Sequence, residues 1–352
     1  MKNKKFLLYP VFLFLFLFAF DKIFLIDKVR SYVKSDFTYI YYETREDLFE
    51  SLKTRKSDKK LMIILGSSRL LYFDSKDLEQ FYPNWDIYNF SSAVTTPAYY
   101  YYYLEKILDA GIKPDFVLLE SDPNQFNSNT PVFKNSNLTY SFNLPFILRH
   151  ANLFGKEYVS FYLGKFLFAS SKNKPHLDTA YKRLTDPRYE VIAKEGHKIK
   201  EMLLESKGHS KSLVENFVER DFGILQATSQ RTIDWLFSSY KESEMQYSFY
   251  EKILSKLSEN KIKTVIVWPQ SSLPMQDLMR KSETVGKKVS LWFTKVNSIS
   301  GKYGYTVRDM DATEDYYCNT FVDGGHIAKD CYHPFMRYVM SEYFKIAKEE
   351  RQ

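Results

Sequence analysis

Leu61-Met62-Ile63-Ile64-Leu65-Gly66-Ser67-Ser68-Arg69 is the stretch on which the reading of the chain turns. An unbroken apolar run from Leu61 to Leu65 reads as a short strand buried on both faces, and it leads directly into a glycine and two hydroxyls. A polar, helix-tolerant segment follows from Ser75 to Tyr82. A strand that ends in small polar residues before a helix lifts a serine hydroxyl out at the carboxyl end of a sheet. The next backbone N–H groups then point at the same space. The same residues also suit an ordinary strand-to-helix turn with serine as N-cap.

The segments around this stretch extend a sheet. Asp86 to Phe90 predicts a second strand, ending in Asn89-Phe90-Ser91-Ser92. Thr96-Pro97 reads as an N-cap followed by proline in the first helical position, and Gly111 stops that helix after Ala110. The helix carries consecutive tyrosines from Tyr99 to Tyr103, which cover every face, so some rings are expected to be exposed; packing on the sheet or the preceding segment is the expected use, with a carbohydrate or lipid contact as the other reading. Lys113-Pro114-Asp115 is a turn, and Phe116 to Glu120 a third strand that opens into a polar loop, Ser121 to Asn127. Alternating strands and helices call for a parallel sheet with right-handed crossovers. Residues 136–261 break the pattern and read as a helical insertion or cap over the sheet's active end. The sheet resumes at Thr264 to Trp268, followed by Pro269-Gln270-Ser271-Ser272, a helix from Met275 to Ser298, a fifth strand from Tyr305 to Asp309, and a last helix from Asp330 to Glu349. The expected fold is α/β, a parallel sheet sandwiched by helices, formed by residues 60–135 and 262–352.

The chain has 352 residues and 44% hydrophobic content, enough for a sizeable core. Its net charge of +7 is spread among acidic residues, and it has no arginine-rich helix, zinc spacing or RNA-binding signature, so nucleic acid is not an expected partner. Lys2, Lys4 and Lys5 precede an apolar run from Phe6 to Phe20. As a helix that run spans only about 22 Å of the ~30 Å hydrocarbon layer, so the membrane span is read as residues 6–26, with Asp21 and Lys22 near the far interface. Those two charges read as snorkelling side chains, or as partners for another membrane protein. No small-x-small cleavage site or lipobox cysteine follows, so the segment reads as an uncleaved signal anchor. That places a cytoplasmic tail at residues 1–5, a neck at 27–59 and the remainder on the exported side. Cys318 and Cys331 are then candidates for one disulfide, with two buried thiols as the other reading.

Function in such a sheet gathers at the carboxyl ends of the strands. Here these ends hold Ser67 and Ser68, Asn89 to Ser92, Asp122 to Asn124, Pro269 to Ser272, and the loop Asp323-Gly324-Gly325-His326. Of six histidines only His326 and His333 follow an aspartate by three positions, namely Asp323 and Asp330. An Asp-x-x-His turn lets the carboxylate hold one imidazole nitrogen while the other faces a serine, which needs a base to be nucleophilic at neutral pH. A surface or packing role is the plain alternative for each histidine. Arg69 is a candidate for an anionic substrate group, or for a salt bridge within the fold, and Gln270 is a second candidate for substrate contact. No clustered ligand set calls for a metal, and no cofactor is expected.

Together, Gly66-Ser67-Ser68, Asn89-Phe90-Ser91, Lys113-Pro114-Asp115, the Pro123…Phe126-Asn127 loop and an Asp-x-x-His before the last helix resemble the SGNH (GDSL-like) hydrolase superfamily. The likeness is to its membrane-anchored bacterial envelope branch of unknown function, similar to polysaccharide O-acetylation and teichoic acid D-alanyl transfer proteins. It covers residues 6–130 and 262–350. The resemblance implies a flavodoxin-like sheet, Ser68 as nucleophile, His326 as base and Asp323 as its orienting acid, with Asp330 and His333 as the alternative pair. It also implies an oxyanion hole from the N–H groups of Ser68 and Ser92 with the Asn124 side chain. Two blocks depart from the pattern: Ser91-Ser92-Ala93 stands where a glycine is usual, and Ser121-Asp122-Pro123-Asn124 replaces Gly-x-Asn-Asp. The implied chemistry is O-acyl transfer, ahead of ester hydrolysis, on an envelope polysaccharide or lipid, with an integral-membrane acyl-donor partner. A non-catalytic envelope protein that keeps the fold as a glycan-binding or assembly module is the second expectation.

Overall fold

The computed structural model describes residues 6, 8–34, 38–130, 132–210 and 218–349, with backbone alone at 38 and 189–197. The expected cytoplasmic tail, residues 1–5, lies outside them. The chain forms two compact units, Met1–Ile40 with Lys134–Glu201, and Tyr41–Phe133 with Met202–Gln352. The stretch expected as a single insertion is thus divided between the two, as is the expected neck.

In the first unit an α-helix, Leu8–Asp21, runs on as a 3-10 turn, Lys22–Leu25. Leu8–Leu25 is long and apolar enough to cross a membrane and is almost wholly uncovered by protein, which makes it a candidate membrane anchor. Asp21 at its end is tied within the unit. Its carboxylate accepts the N–H groups of Ala169 at 2.5 Å and Ser170 at 2.9 Å, orphan donors at the start of the helix Ala169–Asn173. Asn173 in turn donates to the Phe24 carbonyl at 2.8 Å.

The second unit holds a five-stranded parallel sheet of β1 (Lys60–Leu65), β2 (Trp85–Asn89), β3 (Phe116–Glu120), β4 (Lys263–Trp268) and β5 (Val307–Asp309). The strand order is β2-β1-β3-β4-β5. Ile63 of β1 sits between Tyr88 of β2 and Val117 of β3. Helices cover both faces, so β1 and β3 are buried along nearly their whole length, which is why they read as continuous apolar runs. The connections leave β1 in one direction for β2 and cross in the other for β3, and this reversal opens a crevice at the strands' carboxyl ends.

The tyrosine run departs from expectation. Tyr99 to Tyr103 are all buried, between 0% and 4% exposed. Their helix, Pro97–Asp109, is buried from Pro97 to Glu105. Tyr99 meets the Tyr42 ring, Tyr102 donates to Glu46, Tyr101 packs on Phe249, and Tyr99 reaches the Phe90 carbonyl. The single helix expected over Met275–Ser298 is two, Leu273–Lys281 and Glu283–Gly301. Ser282 between them has extended geometry, and its hydroxyl accepts the Val285 N–H to cap the second helix.

Cys318 and Cys331 are joined in a disulfide. Between them the chain doubles back in a small hairpin: Phe321 and Ile327 form an antiparallel bridge, and the Val322 N–H donates to the His326 carbonyl at 2.9 Å. The tip of that hairpin is Asp323 to His326.

Candidate active site

Ser67 and Ser68 follow β1 at the point where the strand order reverses, and Ser67 caps the 3-10 turn Ser68–Leu70. Ser67 is buried, and both its N–H and its hydroxyl donate to the Glu120 carboxylate at 2.7 Å. Ser68 points away from that network, with its Oγ 2.9 Å from His326 Nε2. Gly66 is required at this corner, since a Cβ there would lie 2.8–2.9 Å from Leu70 and the Glu120 carboxylate.

Asp323 faces three donors from its own turn. The Gly325 and His326 N–H groups donate to Oδ1 at 2.8 and 2.9 Å, and His326 Nδ1 lies 3.0 and 2.9 Å from the two oxygens. Burial pushes its carboxyl up, but the hydrogen bonds and charge from His326 and the two N–H donors outweigh burial and bring it down to about 2. Asp323 is therefore a carboxylate at neutral pH. It holds the proton on Nδ1 and leaves Nε2 as the acceptor for the Ser68 hydroxyl.

Arg69 is tied into the fold. Its guanidinium pairs with Asp122 at 2.5 Å and donates to the Pro269 and Gln270 carbonyls at 2.7 Å. It clamps together the loops after β1, β3 and β4, and it also lines the cavity at Ser68. Gln270 gives its carbonyl to that clamp, and its side chain is absent from the lining of the cavity at Ser68. The Ser92 N–H donates to the Gly66 carbonyl at 3.2 Å, so it is occupied in the structure and does not stand open for the oxyanion role expected of it. Asn124 lines the cavity, and its Oδ1 is buried without a hydrogen-bond partner among the described residues. Asp330 and His333 lie exposed at the start of the helix Lys329–Glu349, with the His333 ring tilted against Phe81 at 4.1 Å, and neither lines the cavity. Among the described residues no three His, Cys, Asp or Glu side chains gather as a metal site.

Other residues shape the site without having been expected. Glu120 is 1% exposed and is pushed up to about 7, by burial first and by Asp122, against the opposing pull of Arg69. Gln125 bridges it to the Tyr100 hydroxyl, and Thr95 donates to the Gly66 carbonyl at 2.8 Å. Val94 has φ +48°, a costly conformation for a β-branched residue, and lines the cavity. Its loop is held by the fully buried Arg45, which donates to the Ser91 carbonyl at 2.9 Å, and by the Tyr42 hydroxyl, which donates to the Ala93 carbonyl. A glutamate closing an otherwise apolar strand was the visible sign of Glu120, and the Asp122-x-x-Gln125 capping box that of Gln125.

The cavity has a volume of about 200 Å³ and is lined by Ser68, Asn124, Asp323 and His326 together with apolar side chains from two helices. No curated protein matches the chain. A family model does, over residues 1–343, and the chain belongs to that family, DUF1574, whose description is a protein of unknown function.

Proposed function

We propose that the protein is a membrane-anchored SGNH-like serine acyltransferase or esterase of the cell envelope. The observation that carries the reading is the chain from Ser68 Oγ to His326 Nε2, and from His326 Nδ1 to Asp323. Ser68 Oγ attacks the acyl carbonyl as its proton passes to Nε2. The tetrahedral oxyanion is held by the N–H of Ser68, which as the first residue of its turn has no partner within it, and by the Asn124 amide. Collapse expels the alcohol, which takes the proton from Nε2, and leaves an acyl ester on Ser68. A hydroxyl of an envelope polysaccharide or lipid then attacks that ester with His326 as base again. With water as acceptor the same sequence is hydrolysis.

The anchor candidate favours transfer, because it would keep the site beside an integral-membrane acyl donor. It also fits a single-pass topology with the N-terminus cytoplasmic and the sheet exported, and a disulfide persists on that side. A second reading, a non-catalytic glycan-binding or assembly module on the same fold, draws on the occupied Ser92 N–H, since loss of one oxyanion donor costs roughly 10²- to 10³-fold in rate. Ester turnover by the full chain in lipid nanodiscs separates the two. Ser68→Ala and His326→Ala are each expected to lower kcat by roughly 10⁴-fold or more, with His333→Ala near wild type. Turnover that survives His326→Ala and is lost with His333→Ala would move the base to the other pair.

A further inference from the structure

The lining of the cavity at Ser68 is of two unlike kinds. Its charged groups are Arg69, Glu120, Asp122, Asp323 and His326. Beside them is an apolar stretch of wall. Leu236 comes from the helix Phe222–Phe237, and Met275 and Met279 from Leu273–Lys281, at 7%, 3% and 1% exposed. These two helices pack on each other, so the wall is a fixed part of the fold. Trp235, 53% exposed, also lines it.

We infer that the acyl group handled at Ser68 is a medium-length aliphatic chain and not acetyl. The inference rests on the nucleophile reading above and adds the substrate class. An acetyl group ends one carbon beyond the carbonyl and would leave Leu236, Met275 and Met279 untouched. A plain alkyl chain gains with each methylene moved from water onto the wall, and methionine adapts to such a chain without a fixed shape of its own.

Phosphonate inactivation reads this wall without requiring turnover. A p-nitrophenyl alkylphosphonate reacts by forming a bond from Ser68 Oγ to phosphorus. p-Nitrophenolate leaves with the electrons of the broken P–O bond, and the serine proton goes to His326. The second-order rate of modification of the full chain in nanodiscs is measured for methyl, butyl and hexyl phosphonates, with the modified peptide identified by mass. The rate is expected to rise about fourfold per methylene. In Thr232→Phe, which narrows the cavity from the same helix as Leu236, the hexyl-to-methyl ratio is expected to fall at least about tenfold. A wild-type rate that is flat or falls with chain length, with Ser68 still modified, overturns the acyl inference and leaves the nucleophile standing. An unchanged ratio in Thr232→Phe also counts against it. Modification of Ser68 by none of the three overturns both.

Discussion

Two adjacent serines meet opposite fates at the end of β1. Ser67 gives both of its donors to Glu120, whereas Ser68 is left for His326. The contrast makes Glu120 the residue whose charge the turn feels most directly. Its folded value of about 7 lies above the ordinary 4.5, so the protonated carboxyl is the form that the fold favours. The associated stability is present in full below pH 4.5 and is lost as pH rises to and through about 7, on the order of 3 kcal/mol for a group this buried. Thermal melts of wild type and Glu120→Gln should therefore diverge, the variant gaining on wild type as pH is raised from acid to mildly alkaline. Parallel profiles would refute the assignment. Asp323 has the opposite sign: its stabilisation is present above 3.8 and is lost as pH falls through about 2. Asp323 and His326 could be picked out from the sequence because their spacing is local, and Ser68 because it directly follows an apolar strand and a glycine. Glu120 shows in the sequence only as a glutamate closing an apolar strand; its partner Ser67 depends on β1 and β3 lying side by side, and the contacts of Arg69 depend on the β4 loop coming within reach of it.

Whole elements were easier to read than what surrounds them. The strands and the helix after Thr96 follow from apolar runs and a proline start. The burial of five tyrosines did not follow, because it takes helix Thr38–Lys53 on one side and Glu244–Glu259 on another to enclose them. The break at Ser282 was likewise hidden, since one capping serine in a helix-compatible run looks like any other. Edge protection is a further tertiary feature. β2 is an edge strand, and residues 207–210 lie along it, with the Asn89 N–H donating to the Lys207 carbonyl at 2.9 Å. Gly208 is needed there: its φ is +92°, and a Cβ would sit 2.1 Å from the Asn89 carbonyl oxygen. Gly208→Ala should destabilise the protein by at least ~2 kcal/mol in chemical denaturation. A loss below a few tenths would mean that this segment is not held against β2. His209 beside it is a satisfied core histidine, kept neutral by burial, which brings it down to about 3.

At the scale of the whole molecule, the α/β sheet and the apolar N-terminal helix were both visible in composition and order. The division into two units was not. Residues 136–261 looked like one helical insertion because helical periodicity says nothing about which neighbour a helix packs on, yet 134–201 associates with the N-terminal segment and 202–261 with the sheet. If Leu8–Leu25 spans a bilayer, the full chain remains in the membrane pellet after an alkaline carbonate wash, and a chain starting at residue 27 does not. Release of the full chain by the wash would show that the helix does not span. The proposed chemistry rests on Ser68 being an activated nucleophile, held ready by His326 and Asp323. The most direct measurement is covalent labelling of the full chain by a fluorophosphonate, with the adduct located by peptide mass. One adduct is expected, on Ser68, absent in Ser68→Ala and formed at least ~10³-fold more slowly in His326→Ala. No adduct on wild type, or an adduct on Ser68 that forms equally fast without His326, would contradict it.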